Sequence, residues 1–81
     1  MMKRVQFEQE LRLRLDRQPF QPFAIELEDG SRREIRKKQD LSYWKGGSAL
    51  YVHPDGEWEF VDHDDVQQIL DLVPEPASGS S

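Results

Sequence analysis

The chain has no cysteine among its 81 residues, which removes disulfides, thiolate metal sites and thiol nucleophiles together. It also lacks any unbroken apolar run. After the basic start Met1-Met2-Lys3-Arg4, residues Val5 to Asp16 alternate apolar and charged side chains, unlike a signal peptide or a membrane span. A cytoplasmic protein with no membrane segment is the expectation. The five glycines are scattered, so no phosphate-cradling loop can be drawn. No serine stands in a Gly-x-Ser-x-Gly elbow, and no nucleophile and base pair up in the sequence. No catalytic residue and no cofactor site is therefore assigned, and an enzyme is not expected.

Cations are missing from the last part of the chain. Residues 1–29 carry five basic and six acidic side chains, residues 30–49 six and two, and residues 50–81 none and eight, for a net charge of -5. The basic segment is Arg32, Arg33, Arg36, Lys37, Lys38 and Lys45; the acidic one is Asp55, Glu57, Glu59, Asp62, Asp64, Asp65, Asp71 and Glu75. The net charge disfavours RNA and anionic membranes, which attract proteins through a positive field. The separation of sign has two readings: an ordinary solvated surface whose halves neutralise each other, or complementary patches through which copies meet head to tail.

Eighty-one residues make one domain, and the last eight, Pro74 to Ser81, have too few apolar groups to join a core. The domain is drawn over residues 1–73, with 74–81 as a flexible tail. So small a core is marginal, and without disulfides or thiolate zinc, self-association is the remaining support. The helical candidate is Val5 to Arg17, because Phe7, Leu11 and Leu15 recur every four residues and share a face. Leu11 to Leu15 also alternates with period two, as a strand would. Pro19 and Pro22 then stop the element and stiffen the connection.

Two hairpins follow. In the first, a two-residue Asp29-Gly30 loop would set Leu27 opposite Arg32, whereas a type I turn with Gly30 in a left-handed bulge sets Phe23 opposite Ile35 and Ile25 opposite Arg33. The second register places Phe23, Ile25, Leu27 and Ile35 on one face and is preferred. In the second hairpin, His53-Pro54-Asp55-Gly56-Glu57 is the same turn. Val52 then faces Trp58 and Leu50 faces Phe60, giving a second apolar face, with Tyr51, His53, Glu57 and Glu59 on the other side. Residues 40–48 read as a short strand or turn followed by a loop. Asp62 to Asp65 reads as one short helical turn before a last strand. The strands are placed at about 23–28, 31–37, 49–53, 57–61 and 67–73. The fold class is mainly β (α+β): a helix, then a five-stranded, strongly bent antiparallel sheet or small open barrel.

This order resembles the Sm-like fold and its SH3-like relatives, through Ile25-Glu26-Leu27-Glu28-Asp29-Gly30 near the front and Val61 to Ile69 near the end. Over Leu11 to about Leu72 the chain is also similar to a set of short bacterial proteins that share a Gln-Pro-Phe-x-Pro-Phe-x-Ile-x-Leu-x-Asp-Gly opening, here Gln18 to Gly30, and an aspartate after the fourth strand, here Asp62. No activity comes with that resemblance. The Sm-like one implies ring assembly through strands and binding of single-stranded RNA, but Asp62, Asp64 and Asp65 stand where a phosphate chain would need a neutral or basic loop.

Three candidate sites remain. His53 and His63 with the neighbouring aspartates are the one metal set to consider, but the segment lacks the glycine and closing glutamate of a calcium loop, and no metal is assigned. Tyr43, Trp44 and Tyr51 beside the cations would suit a single nucleic-acid strand. Arg32, Arg33, Arg36, Lys37, Lys38, Tyr43, Trp44 and Lys45 form the expected interaction surface. The expected partner is this protein itself or another protein, with RNA the alternative.

Overall fold

The computed structural model describes residues 1–44 and 46–72, the side chains of Tyr43 and Trp44 excepted. The expected tail 74–81 lies outside the described residues. Within them the chain forms α1 (Arg4–Leu15), β1 (Phe23–Leu27), β2 (Arg32–Ile35), a 3-10 turn (Lys38–Asp40), β3 (Leu41–Trp44), β4 (Ser48–Val52), β5 (Trp58–Asp62), a second 3-10 turn (His63–Asp65) and β6 (Val66–Asp71). No helix among these residues is long and apolar enough to cross a membrane.

The helix reading prevails over the strand reading for the first segment. Phe7, Leu11 and Leu15 are buried while Leu13 is 65% exposed, as the fourfold spacing requires. α1 ends two residues before the expected Arg17, where the Asp16 N–H donates to Arg12 O at 3.0 Å and Pro19 lies just beyond. Arg12 and Arg14 occupy the last turn, where cations complement the partial negative charge of the helix end.

The expected single five-stranded sheet is replaced by two three-stranded antiparallel sheets, β2-β1-β6 and β3-β4-β5, neither closed into a barrel. The sixth strand is β3, at the position read as a strand or turn. Its separation from β2 has a local cause. Asp40 turns the chain back, its N–H donating to Lys37 O at 2.9 Å and its carboxylate accepting from the Lys37 N–H at 3.3 Å. Those groups are then lost to a continuous ladder.

Both hairpins adopt the bulge register. Phe23 pairs with Ile35 and Ile25 with Arg33; Val52 pairs with Trp58 and Leu50 with Phe60. Gly30 and Gly56 take φ of 90° and 94°, a region that side chains with a Cβ avoid. Asp29 accepts from the Ser31 N–H at 2.8 Å and hydroxyl at 2.6 Å, and these bonds hold its carboxyl below the usual range. Asp55 repeats the device on the Glu57 N–H at 3.0 Å.

The core joins Met2, Phe7, Leu11 and Leu15 from the N-terminal segment to Phe23, Ile25 and Ile35, to Val66 and Ile69, and to Leu41, Ala49, Tyr51 and Val61 of the second sheet. One sidedness differs from the expectation. The inner face of β4–β5 is the one bearing Ala49, Tyr51 and Val61, while Trp58 and Phe60 are 63% and 61% exposed. The helix already fills the centre, so that side takes small groups and one tyrosine. Tyr51 meets the hydrogen-bonding requirement of a buried hydroxyl by donating to Glu34 O at 3.1 Å.

At the far side, α1 is strapped to β6. Arg14 Nε donates to Asp71 Oδ1 at 3.1 Å, and Arg17 donates to both Asp71 oxygens at 3.0 and 3.2 Å. The Arg17 bonds, with help from Arg14, hold the Asp71 carboxyl below its ordinary range.

Candidate interaction surface

The predicted basic cluster is largely neutralised within the chain. Arg32 donates to Glu26 at 2.8 Å, Arg36 donates to Glu34 at 2.7 Å, and Arg33 donates to Glu59 across the gap between the sheets. The Arg32 bond, followed by that of Gln68, keeps the Glu26 carboxyl low. Lys37 and Lys38 are exposed and form no ion pair among the described residues. Lys45 and the side chains of Tyr43 and Trp44 lie outside the described residues. An open depression of about 600 Å³ is lined by Arg32, Arg36 and Lys37, but also by Glu34, Asp40 and His53. Its charges alternate, so it offers no continuous positive track.

Arg33 and Glu59 are the one described ion pair between the basic and acidic segments. The Arg33 guanidinium holds the Glu59 carboxyl below its ordinary range, and His53 Nε2 stands 3.2 Å from the same carboxylate. A depressed carboxyl stabilises the fold above its unfolded pKa, about 4.3, and that contribution is lost as pH falls through the lower folded value. Arg33→Met is therefore expected to cost about 1 kcal/mol at pH 7, after discounting for solvent, and less at pH 3. Urea midpoints at the two pH values measure this. An equal loss at both would assign the effect to packing.

Among the described residues, two exposed aromatics lie elsewhere, on the outer side of β4–β5. Trp58 and Phe60 stand edge to face with ring centres 6.0 Å apart, beside the half-buried Leu50 and Val52. The expected interaction residues did not include them. Both faces of this hairpin carry apolar groups, so alternation alone does not say which one meets the core. No local signal separates the two faces, because the space the helix leaves in the core decides which one is buried.

β5 is also a sheet edge. The His53 N–H donates to Glu57 O at 2.6 Å, and strict alternation from that pair turns the backbone groups of Trp58, Phe60 and Asp62 away from β4. No partner reaches those of Trp58 or Phe60 among the described residues. In the other sheet, one outward carbonyl of each edge strand is occupied. On β6 the outward Ile69 carbonyl receives Arg14 Nη2 at 3.5 Å, and on β2 the outward Glu34 carbonyl receives the Tyr51 hydroxyl.

The histidines have structural partners. His63 Nδ1 lies 2.8 Å from Met2 O, the His63 N–H donates to Gly47 O at 2.7 Å, and the Met2 N–H donates to His63 O at 3.3 Å. No group of three His, Asp or Glu side chains converges as a metal set among the described residues.

Comparison with protein-family models, with curated proteins and with solved structures gave no match.

Proposed function

We propose that this protein is a small non-catalytic interaction domain that associates with itself through the outer face of β4–β5. The exposure of Trp58 and Phe60 carries this reading. Paired exposed aromatics contribute little to the fold and cost solubility, whereas aromatic anchors dominate protein contacts. The Sm-like or SH3-like resemblance is compatible with it. That resemblance is supported by the strand orders β6-β1-β2 and β3-β4-β5, which an open barrel with its second strand broken in two would also have.

Single-stranded RNA binding has less support, because Arg32, Arg33 and Arg36 each face a carboxylate and the net charge is -5. Sedimentation equilibrium tests the proposal. The expected result is a mass above one copy, rising with concentration into the range of about 100 µM, and one copy for Trp58→Ser/Phe60→Ser with unchanged circular dichroism. Both side chains are exposed, so the fold should tolerate the change. A single-copy mass for the unmodified chain at every concentration would sink the reading.

A further inference from the structure

The exposed aromatics lie beside a free strand edge, and the backbone of β5 says how a second copy can reach them. Resting on the reading above, we infer that β5 pairs antiparallel with β5 of a second copy about a two-fold axis at Phe60. Phe60 then faces its own counterpart, and Trp58 faces Asp62 of the other copy.

Three observations select this arrangement. First, β5 presents outward backbone groups from Trp58, Phe60 and Asp62, while the β2 and β6 edges have carbonyls occupied by Tyr51 and Arg14. An unpaired edge is a template for another strand. Second, the register follows from counting. Centring on Phe60 uses all three outward residues of each copy, whereas centring on Glu59 or Val61 uses two and on Trp58 one.

Third, charge discriminates between the registers. Centring on Glu59 would set that carboxylate directly against its counterpart, which is destabilising across a strand pair. With Phe60 at the centre, Glu59 comes level with Val61, Asp62 with Trp58 and Glu57 with His63. Within residues 57–63 no acidic side chain then opposes another, in a protein whose net charge of -5 would otherwise resist self-association.

The joint extends the outer apolar face into one row, Leu50, Phe60, Phe60 and Leu50 across the two copies. Its area is small. Trp58 and Phe60 are 63% and 61% exposed, on the order of 250 Å² of side chain per copy, and side-by-side pairing covers only the flanks of the rings. A stable interface buries about 800 Å² from each partner. The dimer is therefore weak and concentration-dependent, with a dissociation constant on the order of 100 µM.

The absence of cysteine gives a direct test in the full chain. In the proposed pairing the two Phe60 Cα atoms lie about 5.5 Å apart, within disulfide reach. Phe60→Cys should therefore oxidise to a covalent dimer, and Gln67→Cys on β6 should not. Phe60→Lys, which opposes two cations at the axis, should weaken dimerisation at least about tenfold with unchanged circular dichroism.

Three results would overturn the inference. A dimer that persists while Phe60→Cys fails to cross-link would leave the apolar-face reading standing and remove the edge pairing. Cross-linking of Phe60→Cys copies to Gln67→Cys copies, or masses above two copies, would mean head-to-tail pairing instead. A single-copy mass up to about 500 µM would remove both readings.

Discussion

Gly47→Ala is expected to cost about 3 kcal/mol and to lower the melting temperature by roughly 10–20 °C. Two penalties combine. Gly47 holds φ of 83°, which costs an L-residue about 1–2 kcal/mol. A Cβ there would also lie 2.5 Å from His63 Cδ2 and 2.7 Å from Arg4 Cγ. The imidazole cannot easily give way, because its Nδ1 is fixed on the Met2 carbonyl and its backbone on Gly47 itself. This point ties the start of α1, the β3–β4 turn and the turn before β6 together. Gly46→Ala is the control: φ is 90° but the Cβ position is open, so it should cost about 1–2 kcal/mol from the backbone alone. Thermal melts of the two variants separate the close approach from the dihedral. Equal losses would show that the contact with His63 carries no weight.

Phe7→Ala is expected to remove about 3–5 kcal/mol, most of what a domain of this size holds. Phe7 is fully buried and lies on the face of α1 that joins the two sheets in one core. Truncation leaves a hole with no backbone free to collapse into it, since the sheets are held in register by their own ladders. The expected outcome is a chain largely unfolded near 37 °C, read as lost near-ultraviolet circular dichroism and a strongly lowered urea midpoint. Leu13→Ala, on the opposite and exposed face, should change the midpoint by less than about 0.5 kcal/mol equivalent. A mild loss at Phe7 would mean that the sheets stand without the helix.

Much of this architecture was legible because it is local. The fourfold spacing of Phe7, Leu11 and Leu15 named the buried side of α1, and Asp-Gly with a following bulge gave both hairpin registers residue by residue. The break between β2 and β3 was not legible, because it depends on where Asp40 turns its backbone and carboxylate. The inner side of β4–β5 was not legible either. Alternation sorts residues into two sets, and only the space left by a helix some forty residues away decides which set is buried. For the candidate site, the sequence identified the basic residues but not their partners. Arg33 and Glu59 lie 26 positions apart and meet only after both sheets form. The exposed Trp58 and Phe60 were visible as apolar residues, yet an apolar residue reads as core until its surroundings are known.

The pairing of β1 with β6, from Phe23 against Asp71 to Leu27 against Val66, also orders events in time. The two hairpins close over a few residues each, so they form early and cheaply. β6 must find β1 across some 39 to 48 positions of chain, with the loop entropy that this implies. Until it docks, β1 lacks one neighbour, and its core face of Phe23 and Ile25 is covered on one side only. Arg14 of α1 and Arg17 just beyond it grip β6 at Asp71. These ion pairs add their attraction to the strand pairing that closes the longest loop of the fold.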